Sequence, residues 1–154
     1  MTDAFDQLVI PAEGSRLTVY DDATGKPIVP GYTVIGHPTI GVGRCLDTHG
    51  ISAEEEQTLY QNDKQAVYAA LGSALSWFGT LDTVRQAVIA SMAFQLGIGG
   101  LLQFHNTLTY VQNGNYAEAA SNMLSSLWAQ QTPARAKMLA SVMTTGVMSP
   151  GLPS

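Results

Sequence analysis

The chain has one cysteine, Cys45, in 154 residues, so an intrachain disulfide is excluded and a reducing compartment is expected. It is sparing with charge: Asp, Glu, Lys and Arg together make up 12%. Positive charge is the scarcer sign, with seven Lys and Arg against twelve Asp and Glu, for a net charge of −5. The bases are scattered from Arg16 to Lys137 and never cluster. A phosphate-binding surface needs the opposite balance, so nucleic acid is not expected as a partner. Long-range attraction to an anionic polymer is not expected either, although a local positive cleft stays open. No apolar run reaches the roughly 18 residues of a membrane helix, so membrane insertion is not expected. The opening "MTDAFDQLVIPAEG" carries acids where a secretory signal has its basic region, so a cleaved signal peptide is not expected.

Several chemical signatures are missing too. Gly41 and Gly43 never complete a dinucleotide fingerprint, and no phosphate-binding loop, nucleophile elbow or zincin helix occurs. His37, His49 and His105 lack metal-ligand spacing, so no metal and no cofactor is expected. Cys45 follows Arg44, which favours the thiolate, yet no base partner is evident, and a packed, inert thiol is expected.

What is present is enough apolar material, 45%, for a packed interior in a single domain or two small lobes. Thr2 can cap a first helix with Asp3 in its opening turn. Phe5, Leu8, Val9 and Ala12 then fall on one face, which the spacing predicts to be buried. Pro11 and Gly14 predict its end near residue 11. "RLTVY" alternates like a strand, "DATGKP" reads as a turn, and "YTVIG" and "PTIGVG" read as short strands, together a small antiparallel sheet. "SAEE" is a capping box, Ser52 with Glu55, opening a helix to about residue 71. A nearly buried central helix runs from an Asp82 cap to Gly97, with Val84, Val88 and Met92 along it. "NYAEAASNMLSSLW" is predicted as one further helix. In "TPARAKMLASVM", Thr132 is the expected cap and Pro133 the first helical residue.

The chemistry concentrates in "EGSRLTVYDD", residues 13–22. Cleaving a glycosidic bond takes an acid to protonate the leaving oxygen and a carboxylate to activate water or attack the sugar. The acid belongs in a partly desolvated place, where it stays protonated. A glutamate leaving a helix end and an aspartate at a strand end, nine residues on, suit that pair of tasks.

"EGSRLTVYDDATG" followed by "TIGVGR" resembles the opening signature of the phage-type lysozymes, the endolysin family of muramidases. "RQAVIASMAFQLGIGGLLQFHNTL" is similar to the family's central helix and following loop, and "AEAASNMLSSLWAQQTPARA" to its two closing helices. The resemblance covers nearly the whole chain. It implies a lysozyme-like α+β fold: a small β lobe at about 13–50, a connecting helix at about 52–71, and a helical lobe at about 75–154 packed with the first helix, 3–11. It implies hydrolysis of the β-1,4 bond between N-acetylmuramic acid and N-acetylglucosamine in peptidoglycan, with inversion. Glu13 takes the place of the general acid and Asp22, two residues after Tyr20, that of the carboxylate acting on water. Asp21 is then a solvated neighbour. Thr39 takes the place of the threonine that helps hold the water. Arg135 matches the arginine that pairs with the catalytic glutamate. Phe94, Gln95, Thr107 and Asn122 match positions lining the saccharide cleft. Trp128 is expected in the core, and Trp77 has no counterpart.

Two departures stand out. The insertion "GKPIVPGYTVIGHP" creates a second threonine strand, in which Thr33 would replace Thr39 and His37 would replace Arg44. The acidic balance also differs from familiar, basic members. The resemblance further implies a monomer that waits in the host cytoplasm and reaches the periplasmic wall through a holin-like pore during host lysis. The alternatives are a lytic transglycosylase, which needs one glutamate, and an inactive binding or regulatory module on the same fold.

Overall fold

The computed structural model describes residues 3–148, and they divide at Thr58 into two compact units. The first unit opens with α1, Ala4–Glu13. The expected Thr2 cap lies outside the described residues. Asp3 caps the helix instead, accepting from the Asp6 backbone N–H at 2.9 Å while the Asp6 side chain returns to the Asp3 N–H. Pro11 does not end the helix. It sits in the last turn, and the chain leaves at Gly14, whose N–H reaches the Ile10 carbonyl at 2.9 Å. The predicted buried face is not realised: no residue of α1 is buried, and Phe5 and Leu8 are 70% and 75% exposed. Among the described residues of this unit the buried side chains are two polar ones, Asp21 and Thr39.

Three strands form an antiparallel sheet in the order β1 (Arg16–Asp21), β2 (Pro38–Gly41), β3 (Arg44–Cys45). Tyr20 pairs with Thr39 and Arg16 with Gly41, so four steps on β1 match two on β2 and the strand bulges between them. "DATGKP" is the turn expected: the Asp21 carbonyl accepts from Gly25 N–H at 2.8 Å, and the chain returns so that Asp21 N–H reaches Lys26 O at 2.9 Å. The predicted strand "YTVIG" does not form. The Ile35 and Gly36 N–H groups go to the Asp21 carboxylate at 2.8 and 3.1 Å, which leaves them unable to join a ladder. A one-turn helix α2, Leu46–His49, follows β3.

Helix α3, Ala53–Ala74, carries the chain from the first unit into the second. The Ser52–Glu55 capping box is present, at 2.7 and 3.2 Å. In the second unit, after a short 3-10 turn at Phe78–Thr80, α4 (Thr83–Leu102) is the centre of the core. Asp82 caps it through the Arg85 N–H at 2.9 Å. Val88, Ile89, Met92 and Ala93 are buried on it, as the spacing predicts. Gly97, at φ 72° and ψ 161°, breaks the helical path at the expected place, and a further turn then resumes. By length and composition α4 would pass for a membrane span, contrary to the expectation that no such run exists; its buried side chains are those of a core helix.

Around it lie α5 (His105–Gln112), α6 (Tyr116–Leu124), α7 (Leu127–Gln131) and α8 (Pro133–Thr145). The single helix predicted over 115–128 is two. Ser126 turns out of the helix, and its hydroxyl accepts from Ala129 N–H at 3.2 Å to start α7. Thr132 precedes α8 without capping it, because its hydroxyl donates to the Trp128 carbonyl at 3.0 Å. Leu71, Leu101, Met123, Leu139 and Met143 close the core, with Trp128 inside it as expected and Trp77 packed on its edge. Arg85 fastens the end of α8: it donates to the Met143 and Thr144 carbonyls at 2.9 and 3.2 Å and stacks 3.7 Å over the Tyr116 ring.

Candidate active site

In the first unit the site begins with a division of labour between two adjacent aspartates. Successive residues of a strand face opposite ways. Asp21 turns inward and is completely buried, not the solvated neighbour expected. Its carboxylate accepts from four groups: Ile35 N–H at 2.8 Å, Tyr32 hydroxyl at 2.9 Å, Ala23 N–H at 3.0 Å and Gly36 N–H at 3.1 Å. The Ile35 N–H does most to hold its pKa below the ordinary carboxylate value; the Tyr32, Gly36 and Ala23 donors add to it and burial opposes them. Asp21 thus folds the inserted loop back onto β1.

Asp22 turns outward and is exposed. Its Oδ1 accepts the His37 N–H at 2.7 Å, and its own N–H reaches the His37 carbonyl at 3.1 Å. The close packing explains Gly36: a Cβ there would collide with the Asp22 carboxylate and would sit 2.7 Å from the Ala23 Cβ.

Thr39 sits on β2, 3% exposed, and its hydroxyl donates to the same His37 carbonyl at 3.2 Å. The rival, Thr33, lies in the exposed loop outside the strands. Arg44, which His37 would have replaced, makes a two-pronged pair with Glu55 at 3.0 and 3.1 Å and donates to Gly50 O at 3.0 Å. It ties β3 to the start of α3.

Glu13, the last residue of α1, lies at the other end of β2. A Cβ on Gly43 would stand 2.9 Å from its Oε2, so the carboxylate rests against bare backbone in the β2–β3 turn. Glu13 is exposed, not in the partly desolvated place expected of the acid. The four residues of β2 span about 10 Å from the Asp22 end to the Glu13 end.

In the second unit the residues matched to the saccharide cleft fall into two groups. Phe94 and Arg135 line one groove of about 420 Å³, with Tyr60, Lys64 and Tyr68 on its opposite wall. Tyr60 meets the Phe94 ring edge-on, 6.4 Å between centroids. Those three wall residues escaped the reading of the sequence, although their i, i+4, i+8 spacing on α3 was a readable sign of one shared face. Asn122 lines a second groove of about 540 Å³ with Phe104, Trp128 and Gln131. Thr107 does not line a groove. It is completely buried, and its hydroxyl donates to Asn122 Oδ1 at 2.7 Å, so it acts by orienting that amide. Gln95 is exposed, and its amide oxygen accepts from the Trp128 indole N–H at 2.9 Å.

An α+β chain with a small antiparallel sheet, a glutamate at the end of its first helix and an aspartate at the end of its first strand matches one class of protein. Residues 11–142 match the phage lysozyme family, and the chain belongs to it. That membership places it among the muramidase-like peptidoglycan hydrolases. Among its relatives, Probable T4-type lysozyme 2 of Dictyostelium discoideum is 33% identical over 159 residues, covering 88% of this chain and 91% of that protein. Probable T4-type lysozyme 1 of the same organism is 29% identical over 160 residues, covering 89% and 91%. The pre-baseplate central spike protein Gp5 of Enterobacteria phage T4 is 30% identical over 152 residues, which are 87% of this chain and 26% of the spike protein.

Proposed function

We propose that the chain hydrolyses the β-1,4 bond between N-acetylmuramic acid and N-acetylglucosamine by inverting acid–base catalysis. Glu13 protonates the leaving oxygen, and Asp22 takes a proton from water attacking the opposite face of the sugar. Inverting pairs stand roughly 6.5–9.5 Å apart, which leaves room for that water. Thr39 helps hold the water; the family resemblance assigns Arg135 to support of the general acid and Phe94, Gln95 and Asn122 to the saccharide, with Thr107 behind Asn122. The two carboxylates carry this chemistry without a metal at the reacting sugar. The enzyme acts as a monomer on the periplasmic wall in host lysis, after release from the host cytoplasm through a holin.

One observation carries this reading. Of two neighbouring aspartates, Asp21 is consumed by the fold and Asp22 is left exposed, with its orientation fixed by His37, the residue that also holds Thr39. A reducing-end assay on purified peptidoglycan, with mass spectrometry of the products, tests it. Hydrated muramic ends are expected, and Glu13→Gln and Asp22→Ala should each cut turnover by about 10²–10⁴-fold. Anhydro-muramyl ends would make the chain a lytic transglycosylase. Biological effect undiminished in Glu13→Gln would make it a binding module.

A further inference from the structure

Beside Asp22 lies a second cluster that the proposed hydrolysis does not use. His37, Cys45 and Asp47 each offer one donor atom, and the three atoms lie within 4.8 Å of one another. His37 Nδ1 is 2.9 Å from Asp47 Oδ2, and the Cys45 thiol donates to Asp47 Oδ1 at 2.8 Å. Cys45 is half-buried and its thiol is turned to a carboxylate, and His37 does have ligand-type neighbours.

The sheet builds this arrangement. Thr39 pairs with Cys45 and Ile40 with Arg44. His37 stands just before β2 and β3 ends at Cys45, and the turn from Cys45 into α2 brings Asp47 against both the Cys45 thiol and the His37 ring. Arg44, tied to Glu55, anchors the short strand that ends in Cys45.

We propose that His37, Cys45 and Asp47 bind a zinc ion. Imidazole, thiolate and carboxylate form a borderline-soft donor set that suits zinc and not the hard ions calcium and magnesium. With metal–donor lengths of about 2.0–2.3 Å, tetrahedral geometry sets donors about 3.3–3.6 Å apart. The two hydrogen-bonded pairs reach that by opening slightly as the ion replaces the shared protons. The thiol proton and the imidazole Nδ1 proton both pass to solvent, leaving a neutral imidazole with its remaining proton on Nε2. Water fills the fourth position. The consequence reaches the neighbouring carboxylate through the backbone: the His37 N–H and carbonyl are the groups that hold Asp22 and Thr39. Zinc would clamp that residue to the β3–α2 junction in a unit with no apolar core to do so.

Cobalt and zinc titrations of the metal-free full chain test the site. One cobalt per chain is expected, with tetrahedral visible bands and a thiolate charge-transfer band, both displaced by zinc. Cys45→Ser should abolish the charge-transfer band and weaken zinc binding about a hundredfold or more, and Asp47→Asn should also weaken it. Amide exchange at residues 35–39 should slow on adding zinc to the wild type but not to Cys45→Ser. Far-UV circular dichroism of the metal-free variants separates a lost ligand from a lost fold. An octahedral cobalt spectrum with no thiolate band in the wild type would overturn the proposal, whether or not the variants fold. So would undiminished zinc affinity in a folded Cys45→Ser. None of these readouts depends on peptidoglycan cleavage, so the site and the hydrolase reading stand or fall separately.

Discussion

The two units solve the folding problem with different forces. Between Leu71 and Met143 the second unit packs apolar side chains to near-complete burial, and Val88, Ile89, Met92 and Met123 are the ordinary interior of a helical protein. The described residues up to Thr58 bury Asp21 and Thr39 and no apolar side chain. There the carboxylate of Asp21 takes the organising place that a leucine or methionine holds in the other unit. Apolar packing tolerates substitutions that keep volume and polarity. A hydrogen-bonded centre tolerates almost none, because a lost acceptor leaves several buried donors unmet at once. The polar unit also carries the proposed acid–base pair, where fixed orientation matters more than overall stability.

The sharpest way to break this comparison is Asp21→Asn, which keeps the shape and puts a donor where N–H groups already point. Amide protection at Ile35 and Gly36 should vanish, protection in 88–93 should persist, and turnover should fall by up to about a hundredfold through misplacement of Asp22. Protection lost equally in both segments would erase the distinction. Next, Met92→Ala should destabilise the second unit by about 2–5 kcal/mol, read from a denaturant midpoint, while exchange at Ile35 stays as it was.

Acid offers a third test. A carboxylate with a lowered folded-state pKa contributes stability that is fully present above its unfolded value and is lost as pH falls through the folded one. Asp21 is such a group, held low chiefly by the Ile35 N–H, with the Tyr32 hydroxyl, Gly36 and Ala23 assisting. His37 and Asp22 are titratable groups that interact with one another beside it. Loop 22–37 should keep its protection unchanged between about pH 5 and 7 and lose it on acidification below about pH 4, ahead of the helical core. The smallest effect belongs to Arg44→Ala. Its partly exposed pair with Glu55 should be worth no more than about 1 kcal/mol, visible as a slight fall in melting temperature.

Reading the residues alone recovered what local chemistry decides. The Ser52–Glu55 box, the Asp82 cap, the break at Gly97 and the strand before Asp21 each depend on neighbours within a few positions. The errors share a different cause. "YTVIG" has strand propensity, but its N–H groups are claimed by a carboxylate fourteen positions earlier. Asp21 looked like surplus charge because its partners sit across the inserted loop. That His37 and Asp47 gather beside Cys45 was not legible, because they meet only once β2 and β3 pair. For the proposed site, Glu13, Asp22 and Thr39 were legible as residue types in order, and the structure adds that Asp22 and Thr39 share His37. Thr107 was legible as a position but not as a buried support for Asn122.

Because Asp21 closes β1 and Asp22 opens the turn after it, one buried and the other exposed, their roles are set by counting and not by identity. Gaining or losing one codon upstream would push the wrong carboxylate inward, with every amino acid of the pair still in place. The bulge between Arg16 and Tyr20 is the part of the strand where such a slip could be absorbed. Homologues that vary in length there, yet keep an aspartate doublet, would show that slack being used.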